Sequence, residues 1–211
     1  MTRRFWNGNT HYHPLVLASL SPGTARVLDV GCGDGILAAD LVEAGVARVV
    51  GIDIDAPVLE RARARHEGRG IEWLHGDVVD ASLEPESFDA VVSVAALHHM
   101  DAARALSRFA QLVRPGGTVV VVGIAANSWS DLPLAAVAVT SKAMLALFYG
   151  RWSHSAPRCW PPPLTYGEMK TIGARVLPGV RYRRLWLGRY SLVWRKPAVS
   201  ASAASACGRR R

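Results

Sequence analysis

The chain has 211 residues, 50% of them hydrophobic and 20% charged, enough for one globular core burying roughly 70% of the surface its unfolded form exposes. With 19 glycines, 3 cysteines and no C-x-x-C pair, it is neither collagen-like nor a disulfide scaffold nor wholly disordered, and a cytoplasmic protein is expected. The net charge of +8 is unevenly spread: residues 1–100 carry 8 basic and 14 acidic side chains, and residues 101–211 carry 17 and 3. That asymmetry suggests a division of labour between the halves, or an anionic partner for the second.

Strand and helix signals alternate through the first half. Arg26–Val30 is a short apolar run ending in Gly31-Cys32-Gly33-Asp34-Gly35; Leu37, Ala38, Leu41 and Val42 then share one helical face before Gly45. Arg48–Asp53 reads as a second strand, with Asp55 as N-cap and Pro57 in the first turn of the next helix. Ile71–His75 is a third strand. Phe88–Val94 and residues 118–124 are nearly continuous apolar runs, as expected of strands buried on both faces. Between them Ala105, Leu106, Phe109, Leu112 and Val113 keep helical spacing behind an Asp101 cap. Such alternation implies right-handed crossovers and a doubly wound α/β fold with a parallel sheet.

The second half breaks that rhythm. An apolar helix over Leu132–Tyr149 is followed by a Trp-, Arg- and Pro-rich loop at 151–163. Thr165 and Glu168 then form a capping box for a helix that stops before Pro178. Residues 181–195 read as two strands turning near Gly188, one of them necessarily antiparallel to the main sheet. The expected organisation is a single domain over residues 1–196, with a docking or lid segment at 1–24 and a cap insertion at 126–164. The Ala/Ser-rich tail at 197–211 has too little apolar bulk to pack. The apolar run at 15–20 is too short for a secretory leader, and Thr140, Ser141 and Lys142 interrupt the only candidate membrane segment.

The sharpest signal is the run Val27-Leu28-Asp29-Val30-Gly31-Cys32-Gly33-Asp34-Gly35. A strand passing straight into glycines and then a helix lets a ligand press against bare backbone N–H groups at a helix N-terminus. Asp53 closes the second strand, where a carboxylate in this topology meets the ribose hydroxyls of a nucleoside. A nucleoside-bearing cofactor is implied. The loop is G-x-G-x-G, not the dinucleotide G-x-G-x-x-G.

With Asp29 two residues ahead of Gly31, the loop resembles the first motif of the class I S-adenosylmethionine-dependent methyltransferases. Gly51-Ile52-Asp53-Ile54-Asp55 is similar to their second motif, and Gly76-Asp77-Val78 to the acidic segment after the third strand. Phe88-Asp89-Ala90-Val91-Val92-Ser93 through Leu97-His98-His99 resembles the fourth-strand motif of the small-molecule branch. Leu112-Val113-Arg114-Pro115-Gly116-Gly117 matches the turn before strand five. The resemblance implies a Rossmann-like methyltransferase fold with a mostly parallel seven-stranded sheet and a C-terminal antiparallel hairpin. It implies S-adenosylmethionine as cofactor, with Gly31, Cys32 and Gly33 against its methionine part and Asp29 holding the loop or the amino group. Asp53 would take the ribose, Ile54 the adenine face, Asp77 and Val78 the adenine edge, and Ser93 and Ala95 would lie beside the methionine moiety.

No Asn/Asp-Pro-Pro-aromatic stretch follows strand four, no cysteine lies in that loop, and no double-Glu loop is present, which leaves a small molecule as the default acceptor. His98 and His99 are candidate catalytic residues, since a neutral imidazole is a natural base near pH 7; the competing role is scaffolding beside the cofactor. Tyr12 and His13 are candidates to line or lid the pocket, against plain docking on the sheet edge. The 132–163 insertion is expected over the carboxyl ends of the strands, with Trp152, His154 and Trp160 near the acceptor. An apolar cap suits a hydrophobic acceptor, and shallow membrane contact is the bolder variant. No metal is expected, because the His11/His13 pair lacks further ligands. Two alternatives stand beside this reading: an RNA-modifying methyltransferase using the hairpin arginines and Arg209 to Arg211, and a cofactor-binding protein of the same fold without catalysis.

Overall fold

The structure, a computed structural model, describes residues 6–149 and 161–198. Among them seven strands form one sheet: β1 (Arg26–Val30), β2 (Arg48–Asp53), β3 (Ile71–His75), β4 (Phe88–Val94), β5 (Val113–Gly123), β6 (Arg181–Leu185) and β7 (Arg189–Arg195). Their spatial order is β3-β2-β1-β4-β5-β7-β6. The first five run parallel, while β7 pairs antiparallel with both β5 and β6. The helices are α1 (His13–Ser19), α2 (Ile36–Glu43), α3 (Ala56–Arg65), α4 (Ala102–Leu112), α5 (Leu132–Tyr149) and α6 (Tyr166–Val176).

Period-two geometry explains the continuous apolar runs. In β5, Val119 and Val121 enter the core packed by α4 and α6, whereas Val120 and Val122 enter the one packed by α1 and α2. The helix starts follow the caps: Asp55 accepts from Val58 N at 3.0 Å and Asp101 from Arg104 N at 2.9 Å. Thr165 and Glu168 close both halves of the capping box.

The fifth strand begins earlier than its apolar run. Val113 already pairs with Phe88, and the ladder slips between Phe88 and Ala90. Gly117 passes so close to β4 that a Cβ there would lie 2.6 Å from the Asp89 carbonyl oxygen. Asp89 in turn accepts from Ala25 N and Arg26 N at 2.6 and 2.9 Å, fixing the start of β1. Strand order reverses between β1 and β4, which opens a crevice at their carboxyl ends.

Candidate active site

The glycine loop is built by three left-handed residues, Gly31, Gly33 and Gly35, with φ of 67°, 53° and 74°. At Gly31 a second requirement acts: a Cβ there would lie 2.2 Å from that of Ala96. Gly31 N and Cys32 N donate to the Ile52 carbonyl at 2.8 and 3.2 Å, and Gly33 N donates to Asp53 Oδ2 at 2.8 Å. Asp53 Oδ1 accepts from Asp55 N at 3.0 Å. The sequence pairing of loop and acid is therefore a direct contact, and Asp53 braces the loop as well as standing at the cavity rim.

Above the loop lies a cavity of about 1070 Å³. Gly31, Gly33, Asp53, Ile54, Asp77, Val78, Ala95, His98 and His99 all line it. Ile54 is 69% exposed, an apolar surface left open on the cavity wall. Ala95 has φ of 56°, a strained non-glycine residue at the end of β4. The His98 ring lies 4.1 Å from that of His99, and its Nδ1 is buried without a hydrogen-bond partner among the described residues. Burial, helped by His99 and Arg189, pushes the His98 imidazole down to about 4.

Five expected residues lie elsewhere. Ser93 is fully buried inside β4, and Asp29 and Cys32 face a separate recess of about 100 Å³ behind the loop. Burial, with the Asp53 charge second, pushes the Asp29 carboxyl up to about 8, and its Oδ2 has no partner among the described residues. Burial also raises the Cys32 thiol well above its ordinary value, so it is no nucleophile. Tyr12 is buried with its hydroxyl accepting from Leu187 N at 3.1 Å, and His13 Nδ1 pairs with Asp40 Oδ2 at 2.6 Å. Both are docking residues away from the main cavity, Tyr12 fastened to the turn between β6 and β7 and His13 to α2. The expected Trp152, His154 and Trp160 fall outside the described residues.

The N-terminal segment still reaches the cavity through Trp6, Asn7, Gly8 and Asn9. Helix α5 lines it with Val139, Lys142, Ala143 and Ala146. Two cations there, Lys142 and Arg189, escaped the sequence reading. Lys142 is the single charge in an apolar helix, and Arg189 stands among the hairpin arginines weighed above for RNA contact. The remaining hairpin arginines do not line the cavity: Arg184 pairs with Asp131 at 3.1 Å, Arg195 donates to Ser21 Oγ at 2.8 Å, and Arg181 and Arg183 are exposed. Among the described residues no His, Cys, Asp and Glu cluster suits a metal, and no helix is long and apolar enough to cross a membrane.

A glycine-cradled cavity at the reversal point of a seven-stranded sheet closed by an antiparallel hairpin defines the class I methyltransferase fold. The chain belongs to the S-adenosylmethionine-dependent methyltransferases: the family described as "Methyltransferase domain" matches residues 28–121. It is 46% identical over 193 residues to the uncharacterized methyltransferase Rv0089 of Mycobacterium tuberculosis, covering 91% of this chain and 98% of that one. It is 31% identical over 208 residues to the ubiquinone biosynthesis O-methyltransferase of Ralstonia nicotianae, covering 91% and 85%. Among solved structures, the S-adenosylmethionine-dependent methyltransferase of Mesorhizobium loti superposes with a TM-score of 0.59 at 22% identity, over 87% of this chain and 96% of that one.

Proposed function

We propose that this methyltransferase acts on a small-molecule acceptor held under α5. The observation that carries the reading is the single cavity that joins the glycine loop and Asp53 to the apolar face of α5. The relative named as a ubiquinone biosynthesis O-methyltransferase supports an acceptor of small size. The residues fit the cofactor: bare backbone at Gly31 and Gly33, a carboxylate at the rim, and an open apolar surface at Ile54 above buried Val78. In this reading Gly31 and Gly33 cradle the methionine end, Asp53 takes the ribose, and Ile54 with Val78 flanks the adenine. Asp77 reads the adenine edge, and Ala95 approaches the methionine moiety. Asp29, buried with its Oδ2 lacking a partner among the described residues, supports the loop from behind.

Bound S-adenosylmethionine supplies a methyl group already activated by the sulfonium. The chain's part is to align the acceptor for in-line displacement and to exclude water, an effect worth about 7–11 kcal/mol. Helix α5 and residues 6–9 supply the cover. His98 and His99 position that end of the cavity. The organisation proposed for the chain is one methyltransferase domain whose residues 126–164 form the cap.

Calorimetry with S-adenosylmethionine and NADH, followed by a screen for transfer of labelled methyl groups to fractionated small metabolites and to total RNA, tests this reading. Tight binding of the sulfonium cofactor with label in the small-molecule fraction is expected. Label found in RNA alone overturns the acceptor class.

A further inference from the structure

Lys142 and Arg189 come from distant parts of the chain and meet on one wall of the cavity. A Cβ placed at Gly8 would lie 3.3 Å from Arg189 Nη2 and 3.7 Å from Lys142 Cε. A Cβ at Gly188 would lie 3.5 Å from Lys142 Nζ. The two cations are thus neighbours, joined by His98 from the strand side.

Neither cation forms an ion pair among the described residues. Arg189 is held only by neutral groups: Nε and Nη2 donate to Asn9 Oδ1 at 3.1 and 2.7 Å, and Nη1 donates to the Gly188 carbonyl at 3.0 Å. Those bonds fix the guanidinium plane while leaving further N–H donors and its charge uncompensated. Burial and Arg189 lower the Lys142 ammonium to about 8, so it is still charged at neutral pH. Two adjoining half-buried cations repel, and such an arrangement is costly unless an anion completes it. The acidic side chains on the cavity wall, Asp53, Asp55, Asp77, Asp80 and Asp101, do not supply one.

We propose that Lys142 and Arg189 form an oxyanion-recognition pair, and that the methyl acceptor carries a carboxylate or phosphoryl group which they hold. The inference rests on the cavity being the cofactor and acceptor site. A rigid guanidinium fork beside a mobile ammonium suits such a group, and the apolar face of α5 takes the rest of the molecule. Val139, Ala143 and Ala146 provide that face.

The test uses the full chain and separates three outcomes. First, S-adenosylhomocysteine is titrated into the wild-type chain and into Lys142→Met and Arg189→Met. Wild-type binding is expected, with both variants within about threefold of it. No binding by the wild-type chain would overturn the cofactor reading of the cavity, and this inference with it. A tenfold or larger loss confined to the variants would overturn the inference alone, since the pair would then serve the cofactor's own carboxylate.

Second, the S-adenosylhomocysteine-saturated proteins are titrated with hexanoate against hexanamide, benzoate against benzamide, and phenyl phosphate against phenol. At least one anion should bind tenfold more tightly than its neutral counterpart, and the acid or phosphate arm that responds identifies the group. The preference should fall below about threefold in both Met variants and persist in Lys142→Arg and Arg189→Lys, which keep the charge and report that the cavity is intact. Equal binding of every anion and its neutral counterpart, or a preference that survives in both Met variants, would overturn the proposal.

Discussion

The Asp53 carboxylate grips Gly33 N through one oxygen and Asp55 N through the other, so its loss removes a brace of the glycine loop together with the partner proposed for the ribose. Asp53→Ala is expected to weaken S-adenosylhomocysteine binding by about 1.5–3 kcal/mol, roughly ten- to a hundredfold, by calorimetry. His98 behaves differently. An imidazole held near 4 is uncharged from pH 5 to 9 and is a weak proton acceptor there. His98→Asn should therefore keep kcat within about tenfold and leave the pH profile of turnover over that range unchanged; a loss above about 100-fold with intact cofactor binding would make it the base. At this scale the sequence was legible where a motif fixes backbone, as at Gly31, Gly33 and Asp53. It did not show that the Ser93 side chain is buried inside β4 or that Cys32 faces the recess behind the loop, because motif spacing says nothing about which face of the strand or loop a side chain takes.

Among the elements, α6 shows how far local chemistry reaches. Its capping box is complete, with Glu168 Oε2 accepting from Thr165 N at 2.7 Å, and it lies on the face of the sheet away from α1 and α2. Thr165→Ala should cost about 1 kcal/mol and lower the melting temperature by about 2–4 °C, with S-adenosylhomocysteine affinity unchanged. A parallel loss of affinity would show that α6 orders the site. Caps at Asp55, Asp101 and Thr165 were readable because each is a contact within three residues. The early start of β5 was not, since Pro115, Gly116 and Gly117 interrupt the apolar pattern, while β4 pairs Val113 and Thr118 on either side and Lys196 exchanges backbone bonds with Gly116 and Gly117. The seat of α5 was legible in part: the break in strand–helix alternation pointed to the carboxyl ends of the strands, where α5 lines the cavity, but periodicity did not show that Lys142 would face it.

Across the whole molecule the charge asymmetry acquires a place. Residues 1–100 supply β1 to β4, the glycine loop and Asp53, and residues 101–211 supply β5 to β7 and α5, which bring Lys142 and Arg189 to the cavity. Buried charge also sets the stability profile. Folded Asp29 keeps its proton up to about 8, whereas its ordinary value is 3.8. Between those values the native state binds the extra proton, so this residue's contribution to stability declines as pH rises from 4 to 8. Asn at this position carries no such dependence. Asp29→Asn should thus melt near the wild-type temperature at pH 4 and above it at pH 8.5, in thermal unfolding without cofactor. Identical melting curves at pH 8.5 would show that the carboxyl is ionised and solvated in the native state.

The reversed direction of β7 has a consequence for inheritance. Because β7 runs against β5, its first residue, Arg189, arrives at the rim where the parallel strands end. Six cross-strand pairs, from Thr118↔Arg195 to Gly123↔Tyr190, lock that strand in place. The turn at 186–188 lies outside this ladder; Leu187 anchors it in the core, while Gly188 lies beside Lys142, so a change at Gly188 can shift that cavity cation while every pairing in the sheet persists. A lineage carrying this hairpin can vary the surroundings of Lys142 at one bend, with the paired strands held constant.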